Sequence, residues 1–223
     1  MRFIIELEGP VFDVSAACFA AHLEAASAVG WSRLDQASFW RLLRTKGERA
    51  EFLPGASESK LKEYFERYAA AMENAASFER FRIEEGTPAT LATIARHGPV
   101  MAISLGTNLE ARTSLLKKIH VDRLFRDVRG LSADSRLRPA ELKSLSEKDS
   151  RAIVVACSDS IVRAADQAEL FTVGISTGPC GLDRLQRAGP RIVFKELADL
   201  AASLQRQGLD LVKAGLLPAP LGM

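Results

Sequence analysis

The sequence predicts an α/β protein with a doubly wound, Rossmann-like parallel sheet and a helical domain inserted after the first strand. Three observations support this fold class. A short apolar run opens the chain, strand and helix patterns alternate after Gly86, and only helical patterns occur between them. We therefore divide the chain into a core of residues 1–14 and 82–208, a helical cap of residues 15–81, and a tail of residues 209–223.

Composition excludes several classes of protein. The chain has 223 residues, of which 47% are hydrophobic and 26% charged, and a net charge of +2, as is typical of a globular protein. We expect no membrane span, because no apolar stretch approaches about 18 residues. We expect no nucleic-acid partner, since the basic excess is small. Three cysteines without a Cys-x-x-Cys spacing predict neither disulfides nor zinc, and three isolated histidines are expected on the surface.

The first strand ends in two carboxylates. Residues 3–5 are apolar, Glu6 and Glu8 follow one residue apart, and Gly9 breaks the strand. A short apolar run suits a buried parallel strand, whose carboxyl end faces the ligand crevice of an open α/β sheet. The alternative is an ordinary acidic turn. These acids also stand where a secretory signal would be apolar, so we expect a cytoplasmic protein.

Residues 15–81 predict three helices in succession. Ser15 is expected to cap a helix that runs to about residue 29 and stops at Gly30. Asp35 starts a second helix that ends near Gly47, and Ser57 or Ser59 caps a third with apolar residues from 61 to 72. This insertion is far longer than an ordinary crossover and follows the acidic turn directly, so we expect it to lie over the crevice as a lid.

After Gly86, helices and strands alternate as in βαβ units. The predicted strands are residues 100–105, about 127–131, 153–157, 171–175 and 192–194. The predicted helices are residues 88–97, 109–119, 139–147, 161–168, 182–188 and 196–205. Right-handed crossovers then place helices on both faces of the sheet.

Four segments carry a resemblance to a known family. They are Glu6-Leu-Glu8-Gly9-Pro10-Val11-Phe12-Asp13, Ser104 within Met101-Ala-Ile-Ser-Leu-Gly-Thr-Asn108, Arg138 before Pro139, and Ala156, Cys157 and Ile161. They are similar in order and spacing to the four motifs of the haloacid dehalogenase-like superfamily, with its phosphoglycolate phosphatase and β-phosphoglucomutase subgroup. Those motifs are Asp-x-Asp-Gly-Thr-Leu-x-Asp, a Ser or Thr, a Lys, and Gly-Asp with a further Asp.

The resemblance implies an α/β core with a helical cap and assigns roles to several residues. In active relatives the first Asp attacks phosphorus and the second is the acid/base, positions held here by Glu6 and Glu8. Ser104 and Arg138 take the positions that hold phosphoryl oxygens. The substrate-binding candidates are Gly9, Asn108, Arg41 and Arg44, although the two cap arginines suit a solvated face as well.

Departures from the motifs predict impaired or absent hydrolysis. Glutamate places each carboxylate about 1.5 Å further out than aspartate, and a misplacement of about 1 Å can cost on the order of 10²-fold in rate. Cys157 offers soft sulfur where Mg²⁺ prefers oxygen, and Ile161 offers no ligand. We therefore expect no cofactor, or Mg²⁺ if the protein is active. Asp159 is a weak candidate metal ligand and is more simply a helix cap.

Three functional hypotheses remain open from the sequence. The first is a catalytically degenerate protein in which Arg138 forms an ion pair with Glu6 or Glu8 in place of the metal. The second is an active phosphatase that uses Glu6 on a small phosphorylated or anionic metabolite. The third is an interaction module that binds a partner, or a second copy as a homodimer, through the cap or the tail.

Overall fold

The computed structural model describes residues 1–46, 48–147 and 151–207. The strands are β1 (Arg2–Glu6), β2 (Val100–Ser104), β3 (Phe125–Gly130), β4 (Ala152–Ala156), β5 (Phe171–Ile175) and β6 (Ile192–Phe194). They form one parallel sheet in the order β3-β2-β1-β4-β5-β6. The order reverses direction at β1, so the carboxyl ends of β1, β2 and β4 meet at the switch point, where open α/β sheets bind ligands.

Helices cover both faces of this sheet, as predicted. They are α1 (Ser15–Ala28), α2 (Gln36–Thr45), α3 (Arg49–Phe52), α4 (Glu58–Met72), α5 (Ala75–Phe78), α6 (Thr87–His97), α7 (Leu109–Lys118), α8 (Arg138–Leu145), α9 (Asp159–Gln167), α10 (Leu182–Ala188) and α11 (Leu197–Gln207). Along β1, Phe3 and Ile5 pack into the core of one face and Ile4 into that of the other. Both faces are buried, which explains why the strand is a continuous apolar run rather than an alternating one.

The helical insert, residues 15–81, contains two short helices that sequence reasoning missed, α3 and α5. Four residues carry too few apolar repeats to show a helical period. The prediction that Ser15 caps α1 is wrong, because Asp13 Oδ1 accepts the Ser15 backbone N–H at 2.9 Å and the helix already begins at Ser15. Gly30 does follow the helix, with a left-handed φ of +66°.

His22 corrects the prediction of surface histidines. It is fully buried in the aromatic centre of the insert, 4.6 Å from the Phe39 ring between centroids. Nε2 accepts the backbone N–H of Leu34 at 3.1 Å, so Nδ1 carries the proton and donates to the Tyr64 hydroxyl at 2.8 Å. Burial lowers its pKa, which keeps the ring neutral. The His22 ring thus packs against aromatic side chains, and the two hydrogen bonds pair both of its nitrogen atoms.

No helix among the described residues is long and apolar enough to cross a membrane. The predicted tail, residues 209–223, lies outside the described residues. The structure also contains a 3-10 turn at Asp122–Leu124 before β3. The helix α9 begins at Asp159 rather than at Ile161, and a shift of two residues is the usual uncertainty of element ends.

Candidate functional site

Glu6 is the last residue of β1 and turns toward the neighbouring strand. Its Oε2 accepts the backbone N–H groups of Cys157 and Ser158 at 2.7 and 2.9 Å. Its Oε1 accepts the hydroxyl of Ser158. The side chain is therefore bound to the loop between β4 and α9 by three donors, and the residue is 2% exposed. The Ser158 hydroxyl is used in this way, which is why Ser158 makes no side-chain cap on α9.

Burial gives Glu6 an unusual acidity. Desolvation raises its pKa to about 7 from an ordinary value of 4.5, and the nearby Glu8 also raises it, while hydrogen bonds from Ser158 and Cys157 lower it. The carboxyl is consequently divided between its protonated and ionised forms near neutral pH. A nucleophilic carboxylate must be ionised, and only part of the Glu6 population meets that requirement near neutral pH.

We expect the stability of the protein to fall between about pH 4.5 and pH 7 through Glu6. The folded chain holds the proton more tightly than the unfolded chain, so stability from this group is complete below pH 4.5 and is lost as pH rises through 7. The loss corresponds to about 3 kcal/mol. Free energies of unfolding of wild type and Glu6→Gln at pH 5 and pH 8 measure it, because glutamine does not titrate. Parallel pH profiles of the two proteins would contradict the assignment.

Glu8 lies two residues beyond β1 and points toward the other neighbouring strand. Its Oε1 accepts the hydroxyl of Ser104 at 2.8 Å and the Nε–H of Arg112. The Ser104 oxygen in turn accepts the backbone N–H of Gly106 at 2.9 Å. Glu6 and Glu8 are thus brought to one edge of the sheet, as predicted, but each is hydrogen-bonded to a different neighbour.

Arg112 on α7 is the central charged residue of the site, and sequence reasoning missed it. Beyond its bond to Glu8, it donates from Nη1 and Nη2 to the two carboxylate oxygens of Glu73 at 3.0 and 2.9 Å. Its side chain is 3% exposed and lies 5.0 Å from the Phe78 ring. Glu73 follows α4, so this bidentate pair joins the insert to the core. The available signal was its spacing, since Arg112 is four residues from Asn108 and so lies on the same face of α7.

Arg138 corrects the predicted ion pair. Its Nε and Nη2 donate to the carbonyl oxygens of Ser132 and Ala133, at 2.8 and 3.1 Å. Among the described residues no salt bridge joins it to Glu6 or Glu8. The helix α8 begins at Arg138. The side chain of Arg138 folds back onto the loop before the helix and donates to the carbonyl groups of that loop. Arg112 makes the ion pair with Glu8 that the hypothesis gave to Arg138.

The remaining substrate-binding candidates contact the protein itself. Asn108 caps α7, because its Oδ1 accepts the backbone N–H of Ala111 at 3.1 Å. Arg44 donates to the carbonyl oxygens of Gly178 and Ser176 at 2.6 and 3.0 Å and so links α2 to the core. Arg41 is exposed on α2. Gly9 has a φ of +104° and lies directly against Cys157, where its lack of a side chain is required.

The residues at the positions of the fourth motif pack into the protein rather than offering ligand atoms to a metal. The Cys157 thiol is fully buried and donates to the carbonyl oxygen of Glu8 at 2.8 Å. Burial raises its pKa well above the ordinary value, so it remains protonated. Ile161 belongs to the core beneath α9. Asp159 has 7% exposure and pairs with Arg184 at 2.5 Å, with Lys46 3.9 Å away.

These residues do not fit Mg²⁺, the cation that the fold family implies. Mg²⁺ requires a near-octahedral set of oxygen ligands. Here Glu6 is bound to three donors, Cys157 is a protonated thiol, and Asp159 is paired with Arg184. Glu8 is paired with Arg112 through Oε1 and offers a single oxygen, Oε2, that has no partner in the described part of the chain, which does not make an octahedral set. Within the described ranges, no three His, Cys, Asp or Glu side chains are grouped so that they could hold a metal. The site therefore lacks the donor chemistry for this cation.

A crevice of about 380 Å³ lies between the insert and the core. Glu6, Glu8, Glu73 and Arg112 form its polar side, and apolar side chains from Val14, Tyr68, Met72 and Leu105 line the rest. The guanidinium of Arg112 and five of the six carboxylate oxygens are bonded to each other, to serine hydroxyl groups or to the backbone, as described above, whereas Glu8 Oε2 is buried without a hydrogen-bond partner among the described residues. The crevice thus combines an apolar wall with polar groups of which most are already paired.

Comparison with solved structures shows the fold. A hydrolase of the haloacid dehalogenase-like family from Streptococcus pneumoniae superposes with a TM-score of 0.73 at 14% identity, over 92% of this chain and 98% of that one. A predicted phosphatase from Clostridium acetobutylicum gives 0.71 at 16% identity, over 92% and 98% of the two chains. The chain has the haloacid dehalogenase-like fold. A predicted phosphoglycolate phosphatase from Haemophilus somnus gives 0.65 at 15% identity, over 92% and 97%.

No family model and no curated protein matches the sequence significantly. At 14–16% identity, the likeness to these solved structures shows the fold alone.

Proposed function

We propose that this protein is a non-hydrolytic member of the haloacid dehalogenase-like fold, with the insert of residues 15–81 as its cap. One observation carries the proposal: the donors around the crevice are occupied by carboxylates of the chain itself. Glu6 accepts the backbone N–H groups of the loop after β4, and Glu8 accepts the hydroxyl of Ser104. Glu73 accepts the backbone N–H groups of Thr107 and Asn108 at 3.1 and 2.8 Å.

A phosphoryl group needs these same donors. Its oxygens are held by hydroxyl groups, backbone N–H groups and cations, and catalysis depends on donors placed around the developing charge. In this crevice Arg112, the one cation on its polar side among the described residues, is bound to two glutamates, and a phosphate would have to displace them. The crevice would also bring the phosphate close to carboxylates that repel it. Displacing buried, charge-assisted bonds in this way is costly.

We expect no turnover of para-nitrophenyl phosphate or of a phosphosugar panel in the presence of Mg²⁺. Wild type should hydrolyse these no faster than Glu6→Gln, since misplacement of the longer acid removes on the order of 10²-fold in rate and the ligands for Mg²⁺ are missing as well. Release of inorganic phosphate by both proteins measures this, with far-ultraviolet circular dichroism to confirm folding. Turnover by wild type that Glu6→Gln abolishes would show instead an active phosphatase that uses Glu6.

A triple variant tests the cause of the loss. Glu6→Asp, Glu8→Asp and Cys157→Asp together restore the shorter acids and an oxygen ligand at the fourth motif. Mg²⁺-dependent turnover in the folded triple variant alone would locate the loss in these three positions. The ligand class suggested by the phosphatase neighbours is a small phosphorylated metabolite, and in our proposal the paired donors of the crevice disfavour its binding there.

A further inference from the structure

A groove of about 430 Å³, where the end of α2 meets the core, gathers four basic side chains. Lys46 comes from the end of α2, Arg136 from the loop before α8, Arg163 from α9 and Arg184 from α10. The hydroxyl-bearing residues Ser135 and Ser160 and the amide of Gln167 also line it. The groove is separate from the crevice described above and shares none of its lining residues.

The charges in this groove are unbalanced. Asp159 is the carboxylate within its lining and is already bonded to Arg184, with Lys46 at 3.9 Å. Arg136 pairs with Asp134, which lies outside the lining. Among the described residues Arg163 has no ion-pair partner. Four cations thus face two carboxylates, Asp159 in the lining and Asp134 beside it, and an anion bound in the groove would balance the remaining excess of positive charge.

The basic side chains of the groove lower the pKa of Asp159. Burial raises the pKa of this carboxyl, but Arg184, Lys46 and Arg163 lower it, and the result is a pKa below the ordinary value. The field at the floor of the groove is therefore positive despite the buried acid. The three cations that produce it come from three different elements, α2, α9 and α10.

The deepest arginine is held rigidly. Arg184 donates from Nη1 to the carbonyl oxygen of Leu43 at 3.1 Å and from Nη2 to Asp159 at 2.5 Å. Its Nε is buried and has no hydrogen-bond partner. Arg163 and Gln167 are four residues apart and lie along one face of α9. Helix-borne side chains of this kind hold a ligand more accurately than side chains on loops.

We propose that this groove binds a small, multiply charged oxyanion of the phosphate-ester or pyrophosphate class. The planar guanidinium fork matches the oxygens of such a group, and several arginines on one groove are typical of phosphate recognition. The inference is independent of the proposed lack of hydrolysis, which concerns the crevice. It identifies where the chain can still accept an anion while the crevice donors are occupied by glutamates.

Calorimetric titration of the full chain with pyrophosphate tests the groove. We expect a dissociation constant below about 1 mM, and a loss of about tenfold or more in Arg163→Glu, because one charge-assisted contact becomes a repulsion. Arg187→Glu is the matched control. It lies exposed on α10, makes the same change in net charge and is not part of the groove lining. Its affinity should remain within about twofold of wild type.

Each other outcome overturns the proposal. Folded wild type that shows no binding at about 5 mM pyrophosphate, a concentration at which even weak specific complexes form, would exclude the site. Equal losses in Arg163→Glu and Arg187→Glu would show a non-specific charge effect. Binding that is strengthened in Glu73→Gln, which weakens the hold of the glutamate on Arg112, and unchanged in Arg163→Glu would place the anion in the crevice. Phosphate release during the titration bears on the proposed function alone, so the two proposals fail separately.

Discussion

Replacement of Arg112 by methionine should lower the free energy of unfolding by about 3–5 kcal/mol. Arg112 is the shared partner of Glu8 and Glu73, whose side chains are 16% and 25% exposed. Removal of the guanidinium leaves both carboxylates largely desolvated and without their cation. Methionine retains most of the apolar stem that packs near Phe78, so the loss reports mainly on the charges.

Chemical denaturation of Arg112→Met beside Lys117→Met measures this effect. Lys117 lies exposed on the same helix, and its replacement should change stability by no more than about 0.5 kcal/mol. Adding Glu8→Gln and Glu73→Gln to Arg112→Met should recover part of the loss, because the unpaired charges are then removed. Equal, small losses in the two single variants would mean that Arg112 does not hold the insert to the core.

Replacement of Gly9 by alanine should cost about 3 kcal/mol or more, from backbone strain and overpacking together. A Cβ atom at this position would lie 2.9 Å from the Gly178 Cα and closer still to the Cys157 Sγ. The φ of +104° is also one that alanine rarely adopts. Neither neighbour can give way easily, because Gly178 is backbone and Cys157 is fully buried.

Gly30→Ala is the control for Gly9→Ala. Gly30 also has a positive φ, +66°, but a Cβ atom added there would meet no other atom within 4 Å. Its replacement should therefore cost only about 1 kcal/mol, from the left-handed backbone alone. Thermal and denaturant unfolding of the two variants separate strain from close packing. Similar losses in both would show that the contact of Gly9 with Cys157 has no energetic weight.

The position of the acids was predictable from the sequence, but their partners were not. A strand that is buried on both faces reads as a continuous apolar run, so β1 and the crevice position of Glu6 and Glu8 follow from local pattern. Which cation meets Glu8 depends on how α7 packs against the insert. Arg112 and Glu8 are 104 residues apart, and no local period relates them.

The choice between Arg138 and Arg112 shows the same limit. Motif order placed Arg138 near the carboxyl edge of the sheet, and its helix does begin there. The direction of its side chain is set by the loop carbonyls of Ser132 and Ala133, which are closer acceptors than the glutamates. A long, flexible side chain bonds to the acceptors that the surrounding fold presents, and sequence spacing does not reveal these.

By itself, the sequence determined the α/β class, the helical insertion after β1 and the presence of Glu6, Glu8 and Cys157 where the motifs have aspartate. These properties are local, because they depend on apolar periodicity and on which side chain occupies each position. Only the tertiary structure decided that Glu6, Glu8 and Glu73 occupy the donors of the crevice and that four cations gather in the groove beside α9. These properties depend on distances between elements remote in the chain, which arise only when the sheet and its helices pack together.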